Sequence, residues 1–144
     1  MEGLLTIVRR LRARRVVEVG HGRNLRYLKG LLKAGIDAWG VEIDVQHVRR
    51  ALEEEVPSVN VDAVEKSRWV RRVLRPDLVY AVRPPVELAV GLIERYPTVA
   101  LRMREEERHE LPEPSIQIGD WDLHTVLDLH TFEEDRTVKP QISG

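Results

Sequence analysis

Three carboxylates and two glycines raise the first chemical question. Glu18, Gly20 and Gly22 fall in VVEVGHGRN (16–24), Glu42 in GVEID (40–44) and Asp62 in NVDAVE (60–65). Each acid follows a short apolar run that reads as a strand. Glycine allows backbone to come close to a ligand, and Gly20 and Gly22 stand one residue apart. Glu18, just before them, can fix the turn's backbone or reach a ligand's amino group. Glu42 lies 22 residues beyond Gly20, where a strand-end acid can take two ribose hydroxyls. Asp62 is placed to accept from an adenine amino group. Position 25 is Leu rather than the third glycine of G-x-G-x-x-G. A pyrophosphate needs that glycine and the helix N-terminus it opens, whereas a cofactor without a pyrophosphate does not. The expected ligand therefore has a ribose, an adenine and a cationic part. His21, between the two glycines, is either a general base beside that ligand or a turn residue facing water.

The elements that must position these residues follow from periodicity. Leu4, Ile7, Val8 and Leu11 have helical spacing, as do Leu25, Leu28, Leu31 and Leu32. Apolar strands are expected at 15–19, 38–43, 58–61, 77–82 and 98–103. Helices are expected between them at 23–34, 46–55, 65–74 and 86–95. The helix over 65–74 is expected to turn Trp69, Val70, Val73 and Leu74 inward. Strands that are apolar runs rather than alternations are those of a parallel sheet covered on both faces. The rhythm then changes to an acidic, proline-containing loop (104–114) and two strands that read as an antiparallel hairpin. The expectation is one three-layer α/β domain over 1–133, mainly parallel, with strand order 3-2-1-4-5. It comprises an N-terminal helix (1–13), an α/β core (14–104) and a hairpin (115–132), followed by a polar tail (134–144).

Bulk properties narrow the class. With 144 residues, 42% hydrophobic and 33% charged, the chain is globular. It holds no cysteine, so it has no disulfide framework, and a metal site would need His, Asp or Glu. MEGLLTIVRR lacks the pattern of a signal peptide, and no apolar run reaches the length of a membrane span. A cytoplasmic protein is expected. Arg outnumbers Lys by 19 to 4, and this Arg- and Glu-rich, cysteine-free composition fits a thermophile. Genome composition would produce the same bias. The net charge of −1 divides unevenly: residues 1–75 carry 16 basic and 10 acidic groups (+6), the remainder 7 and 14 (−7).

The series EVGHG, GVEID, NVDA and DLVYAVRPP resembles the class I S-adenosylmethionine (SAM) dependent methyltransferases over about residues 14–104. DLVYAVRPPVEL in particular is similar to a small, uncharacterised archaeal family with a methyltransferase-like Rossmann core. The resemblance implies SAM as cofactor. It places Glu18, Gly20 and Gly22 around the methionine moiety, Glu42 at the ribose, Asp62 at the adenine, and Pro84 with Pro85 beside the methyl group. Asn24 stands where the first motif has its third small residue. Arg83 stands where amino-methylating enzymes carry an amide or acid. A guanidinium only donates, so that route to adenine methylation is not expected, and Arg83 suits a carboxylate or phosphate instead. His21 and Arg83 are the catalytic candidates.

Three functions remain open on this reading. The first is SAM binding with methyl transfer to an unidentified acceptor, RNA among the candidates, with a homodimer or partner subunit supplying the missing wall of the site. The second is a non-catalytic nucleotide-binding or protein-interaction module of the same fold. The third is an NAD-dependent oxidoreductase, disfavoured by Leu25 and the lack of a substrate half. The basic runs 9–15 and 66–75 suit either nucleic acid or a solvated helix face. His124, Asp128 and His130 share a strand face if alternation holds, as a metal site or as exposed polar residues.

Overall fold

The computed structural model describes residues 1–128. The end of the expected hairpin and the polar tail lie outside those residues. Five β-strands alternate with helices: β1 (Arg15–Val19), β2 (Asp37–Glu42), β3 (Ser58–Asn60), β4 (Leu78–Val82) and β5 (Thr98–Arg102). The helices are α1 (Glu2–Leu11), α2 (Arg26–Lys33), α3 (Val45–Glu53), α4 (Ser67–Trp69), which continues as a π-helix over Val70–Leu74, and α5 (Val86–Arg95). A 3-10 helix (Glu105–Glu110) leads to β6 (Ile116–Ile118) and β7 (Trp121–Thr125). The sheet order is β3-β2-β1-β4-β5-β7-β6. The first five strands are parallel, and β7 runs antiparallel to both β5 and β6. This is the three-layer Rossmann-like fold with order 3-2-1-4-5 and an antiparallel hairpin.

Strand alternation divides the core in two. Val16, Leu78, Tyr80 and Ala100 point to the face covered by α1, α2 and α3. Val17, Val41, Val79, Ala81 and Val99 point to the face covered by the π-helix and α5. The strands are apolar on both sides because both sides are covered. The chain adds β2 and β3 on one side of β1, then returns to place β4 on the other. That reversal opens a crevice over the C-terminal ends of β1 and β4.

The hairpin is wired to the opposite end of the chain. Trp121 packs edge-on to Tyr27 and Tyr80. Gly3 of α1 lies so near that a Cβ there would sit 2.9 Å from Trp121 Cδ1. The expected loop 104–114 contains the 3-10 helix, whose Arg108 donates two hydrogen bonds to the buried Asp122 carboxylate, at 3.0 and 2.6 Å. Two residues expected to face inward do not. Val70 and Leu74 are buried as expected, but Trp69 is 39% exposed and Val73 52% exposed. The π-helical turn is wider than 3.6 residues, so the buried face is narrower than an α-helical stripe would make it.

Replacing Arg108 by Ala leaves the Asp122 carboxylate buried without its cation. Urea unfolding is expected to show a loss of about 2 kcal/mol, with Arg108→Lys recovering only part because an ammonium cannot form the fork.

Candidate functional site

The site is assembled from the turns that follow β1, β2 and β3. Gly20 and Gly22 adopt φ of 70° and 58°, and nothing lies within 4 Å of where a Cβ would stand on either. A side chain would be strained there, and the bare backbone faces open space. The Glu42 carboxylate, buried at the end of β2, accepts the Gly22 N–H at 2.8 Å and the Asp44 N–H at 2.9 Å. Asn60 Nδ2 donates to the carbonyls of Glu42 and Ile43 at 2.9 and 3.0 Å. Three strand ends are thus joined by side chain to backbone bonds. Ile43, immediately after Glu42, is 71% exposed. A large aliphatic side chain left in water beside a buried acid is a feature the sequence reading missed, although the apolar residue inside GVEID was its signal.

Glu18 is buried beneath the glycine turn, and Tyr80 Oη donates to its carboxylate at 2.8 Å across the β1–β4 register. Burial pushes the Glu18 carboxyl up to about 8; the Tyr80 bond works against this and the nearby Glu42 charge adds to it. The Tyr80 hydroxyl is itself driven well above its ordinary range by burial and by Glu18, so it keeps its proton. Tyr80, which reads in the sequence as packing only, is therefore the hydrogen-bond partner of Glu18.

His21 does not face water. It is buried, its Nδ1 donates to the Gly22 carbonyl at 2.9 Å, and its Nε2 shares a 2.7 Å hydrogen bond with the Ser58 hydroxyl. Both ring nitrogens are engaged. The ring lies over Gly40, where a Cβ would meet His21 Cδ2 at 2.4 Å. His21 fastens the glycine turn to β2 and β3.

Asp62 is exposed at the end of β3, and its Oδ1 accepts the N–H groups of Val64 and Glu65 at 2.9 and 3.1 Å. Its neighbour in chemistry, Asp44, is used as the N-cap of α3, accepting from Gln46 N at 2.9 Å. Arg83 follows β4 in a left-handed conformation with φ of 51°, which costs about 1 kcal/mol in a residue with a Cβ. Its N–H is held by the Arg102 carbonyl at 2.7 Å. The Arg83 side chain lines a cavity of about 300 Å³ with Arg102, Arg104 and Asp120. Pro84 is buried, and Pro85 is the N-cap of α5. His124 is buried on β7, with no hydrogen-bond partner for Nε2 among the described residues, and burial lowers its pKa. β7 ends at Thr125, so strand alternation does not carry on to Asp128, and His130 lies outside the described residues. Among the described residues no three His, Cys, Asp or Glu side chains are grouped to hold a metal, and no helix is long and apolar enough to cross a membrane.

Glu18 gives a signed expectation for stability. A carboxyl raised from 4.5 to about 8 on folding holds a proton that the unfolded chain has released across that window. Its contribution favours the folded state fully below about pH 4.5 and is lost as pH rises to about 8. Denaturant unfolding is expected to show stability falling by roughly 1 kcal/mol per pH unit across that range. Glu18→Gln, which can still accept from Tyr80, is expected to flatten that slope.

Known structures share this architecture. The structure of TrmN from Thermus thermophilus superposes with a TM-score of 0.51 at 15% identity, covering 85% of this chain and 48% of that one. The bifunctional kinase-methyltransferase WbdD gives 0.50 at 18% identity, covering 79% and 30%. A SAM dependent methyltransferase from Archaeoglobus fulgidus gives 0.48 at 21% identity, covering 69% and 51%. The chain spans about half or less of the length of each. At these identities the likeness is one of fold. No curated protein matches the sequence. Residues 2–103 match a family described as uncharacterised, and this chain belongs to that family, UPF0146.

Proposed function

We propose that this protein binds SAM across the C-terminal ends of β1, β2 and β3 and presents the methyl group toward β4 and β5. The observation that carries the reading is the bare Gly20–Gly22 turn tied directly to the buried Glu42 carboxylate. A carboxylate has about four acceptor positions, so two backbone bonds leave Glu42 able to accept two ribose hydroxyls. Ile43 offers an exposed apolar surface for an adenine face. Asp62 lies at the next strand end for the adenine amino group. Glu18, under the turn, is the acid for the cationic methionine end. When bound, SAM supplies a methyl group already activated on a sulfonium.

The protein's task is then positioning. His21, with both nitrogens engaged, holds the turn in shape. Pro84 starts the wall beyond β4. Arg83, Arg102 and Arg104 bring donors to the acceptor side, in a cavity that Glu105, Glu106 and Asp120 also line. A second reading, a SAM- or nucleotide-binding module without turnover, is favoured by His21, whose two engaged ring nitrogens leave no imidazole base for the crevice. Methyl transfer to an acceptor that is already nucleophilic needs none, so the two readings divide on turnover and not on binding.

Calorimetry with SAM, S-adenosylhomocysteine and NAD tests the shared part. Micromolar binding of the first two and none of NAD is expected. Glu42→Ala is expected to weaken SAM binding by about a hundredfold or more, since it removes two hydroxyl bonds to a charged group and loosens the turn. Ile43→Ser changes an exposed residue without touching the fold and is expected to weaken binding about fivefold, with unfolding unchanged. A folded chain that shows no heat at millimolar SAM would falsify the proposal.

A further inference from the structure

A second surface is independent of the crevice. The run KSRWVRRVLR (66–75), which forms α4, the π-helix and its cap, holds five cations and no acid. Arg68, Arg71 and Arg72 of this helix, with Ser67, face Arg95 and Glu94 of α5 across a groove of about 570 Å³. Arg71 also lines the adjoining cavity, of about 290 Å³, with Arg75 and Asp77. Of the two carboxylates that line this cleft, Glu94 is ion-paired and Asp77 is held by backbone N–H groups. Glu94 lies 3.4 Å from Arg95, and Asp77 Oδ2 accepts the N–H groups of Arg14 and Arg15. Arg71 and Arg75 donate to the carbonyls of Arg95 and Arg72, which do not neutralise them. Arg68 and Arg72 have no side-chain partner among the described residues.

The run 9–15 also gathers five cations without an acid; what the 66–75 surface adds is an exposed indole on the same helix. Elsewhere Arg15, Arg50, Arg102 and Arg108 each face a carboxylate. An ordinary solvated helix face in a chain with 24 acids would intersperse the two signs. Here like charges are gathered, which raises the energy of the bare surface and favours an anionic occupant. Beside the Arg68–Arg72 stripe runs a second stripe, one residue on, of Trp69 and Val73, both well exposed. Guanidinium groups and a half-exposed indole on one helix supply phosphate contacts and a base-stacking platform together. An acidic peptide would use the charges and leave the indole idle.

We infer that the α4–π-helix–α5 groove binds single-stranded nucleic acid, with Arg68, Arg71, Arg72 and Arg95 on the phosphodiester backbone and Trp69 stacked on a base. The surface lies on the helical layer opposite α1 and α2 and does not depend on SAM binding.

The test uses fluorescence anisotropy with the full chain and short labelled oligouridylate, oligothymidylate, a duplex of the same length, and polyglutamate. Micromolar binding of the single strands at low salt is expected. With three to four phosphates neutralised, log affinity should fall against log salt with a slope of roughly −2 to −3. Arg68→Ala/Arg72→Ala should weaken binding about tenfold and make that slope shallower by about 1.4. Trp69→Ala should weaken it about tenfold with the slope unchanged, the signature of stacking rather than charge. The charge-matched control Arg9→Ala/Arg49→Ala should stay within about twofold, because each removed cation lies outside the groove. Thermal unfolding of each variant verifies the fold. A preference for uridylate over thymidylate identifies RNA, and the reverse DNA; either supports the groove. The inference is overturned if neither strand binds, if the duplex or polyglutamate binds as well as the single strands, or if the groove variants match the control.

Discussion

The crevice depends on one carboxylate. Glu42 accepts backbone N–H groups from two different turns, at Gly22 and at Asp44, and so sets the distance between the ends of β1 and β2. Neither turn could make this contact alone. Gly22 must be glycine to bring its N–H there at φ 58°, and Asp44 must begin α3 at that point, where its own side chain caps the helix. His21 adds a second tie by reaching over Gly40 to Ser58, and Asn60 adds a third. Of these residues Glu42 is used twice, once to shape the turns and once as a carboxylate with acceptor capacity to spare. That is preorganisation: the groups that would receive a ligand are held before it arrives.

Below this network the balance changes from hydrogen bonding to burial. Glu18 is enclosed by the apolar face that also holds Tyr27, Tyr80 and Trp121. A carboxyl in such a place favours its neutral form at ordinary pH. The hairpin contributes to this enclosure, because Trp121 of β7 packs on Tyr80, the residue bonded to Glu18. A segment that reads as an appendage in the sequence thus closes the floor of the candidate site, and Arg108 anchors it there through Asp122.

The parallel core, its strand order and the three strand-end acids were legible because each rests on local pattern. Apolar runs, punctuating glycines and prolines, and acids at run ends all lie within a few residues of one another. What escaped involves contacts between distant positions. Tyr80 meets Glu18 only because β4 pairs with β1 in a particular register, 62 residues on. His21 reads as a turn residue, and its burial needs the absence of a side chain at Gly40 and a hydroxyl at Ser58. Trp69, at the end of α4, and Val73, in the π-helix, follow an apolar stripe of α-helical period, yet both stand outside the core. The segment 104–114 reads as an acidic, proline-containing loop, and its 3-10 helix is stabilised by a tertiary ion pair that composition does not announce.

The proposed SAM site places the cationic end of the ligand beside Glu18, whose burial favours the neutral carboxyl. Calorimetric titration of SAM near neutral pH, repeated in buffers of different ionisation heat, counts the protons that leave on binding. A cation placed beside Glu18 should drive its carboxyl from neutral to charged, releasing about one proton, with none released by Glu18→Gln. Binding of SAM with no proton released by the unaltered protein would contradict the account.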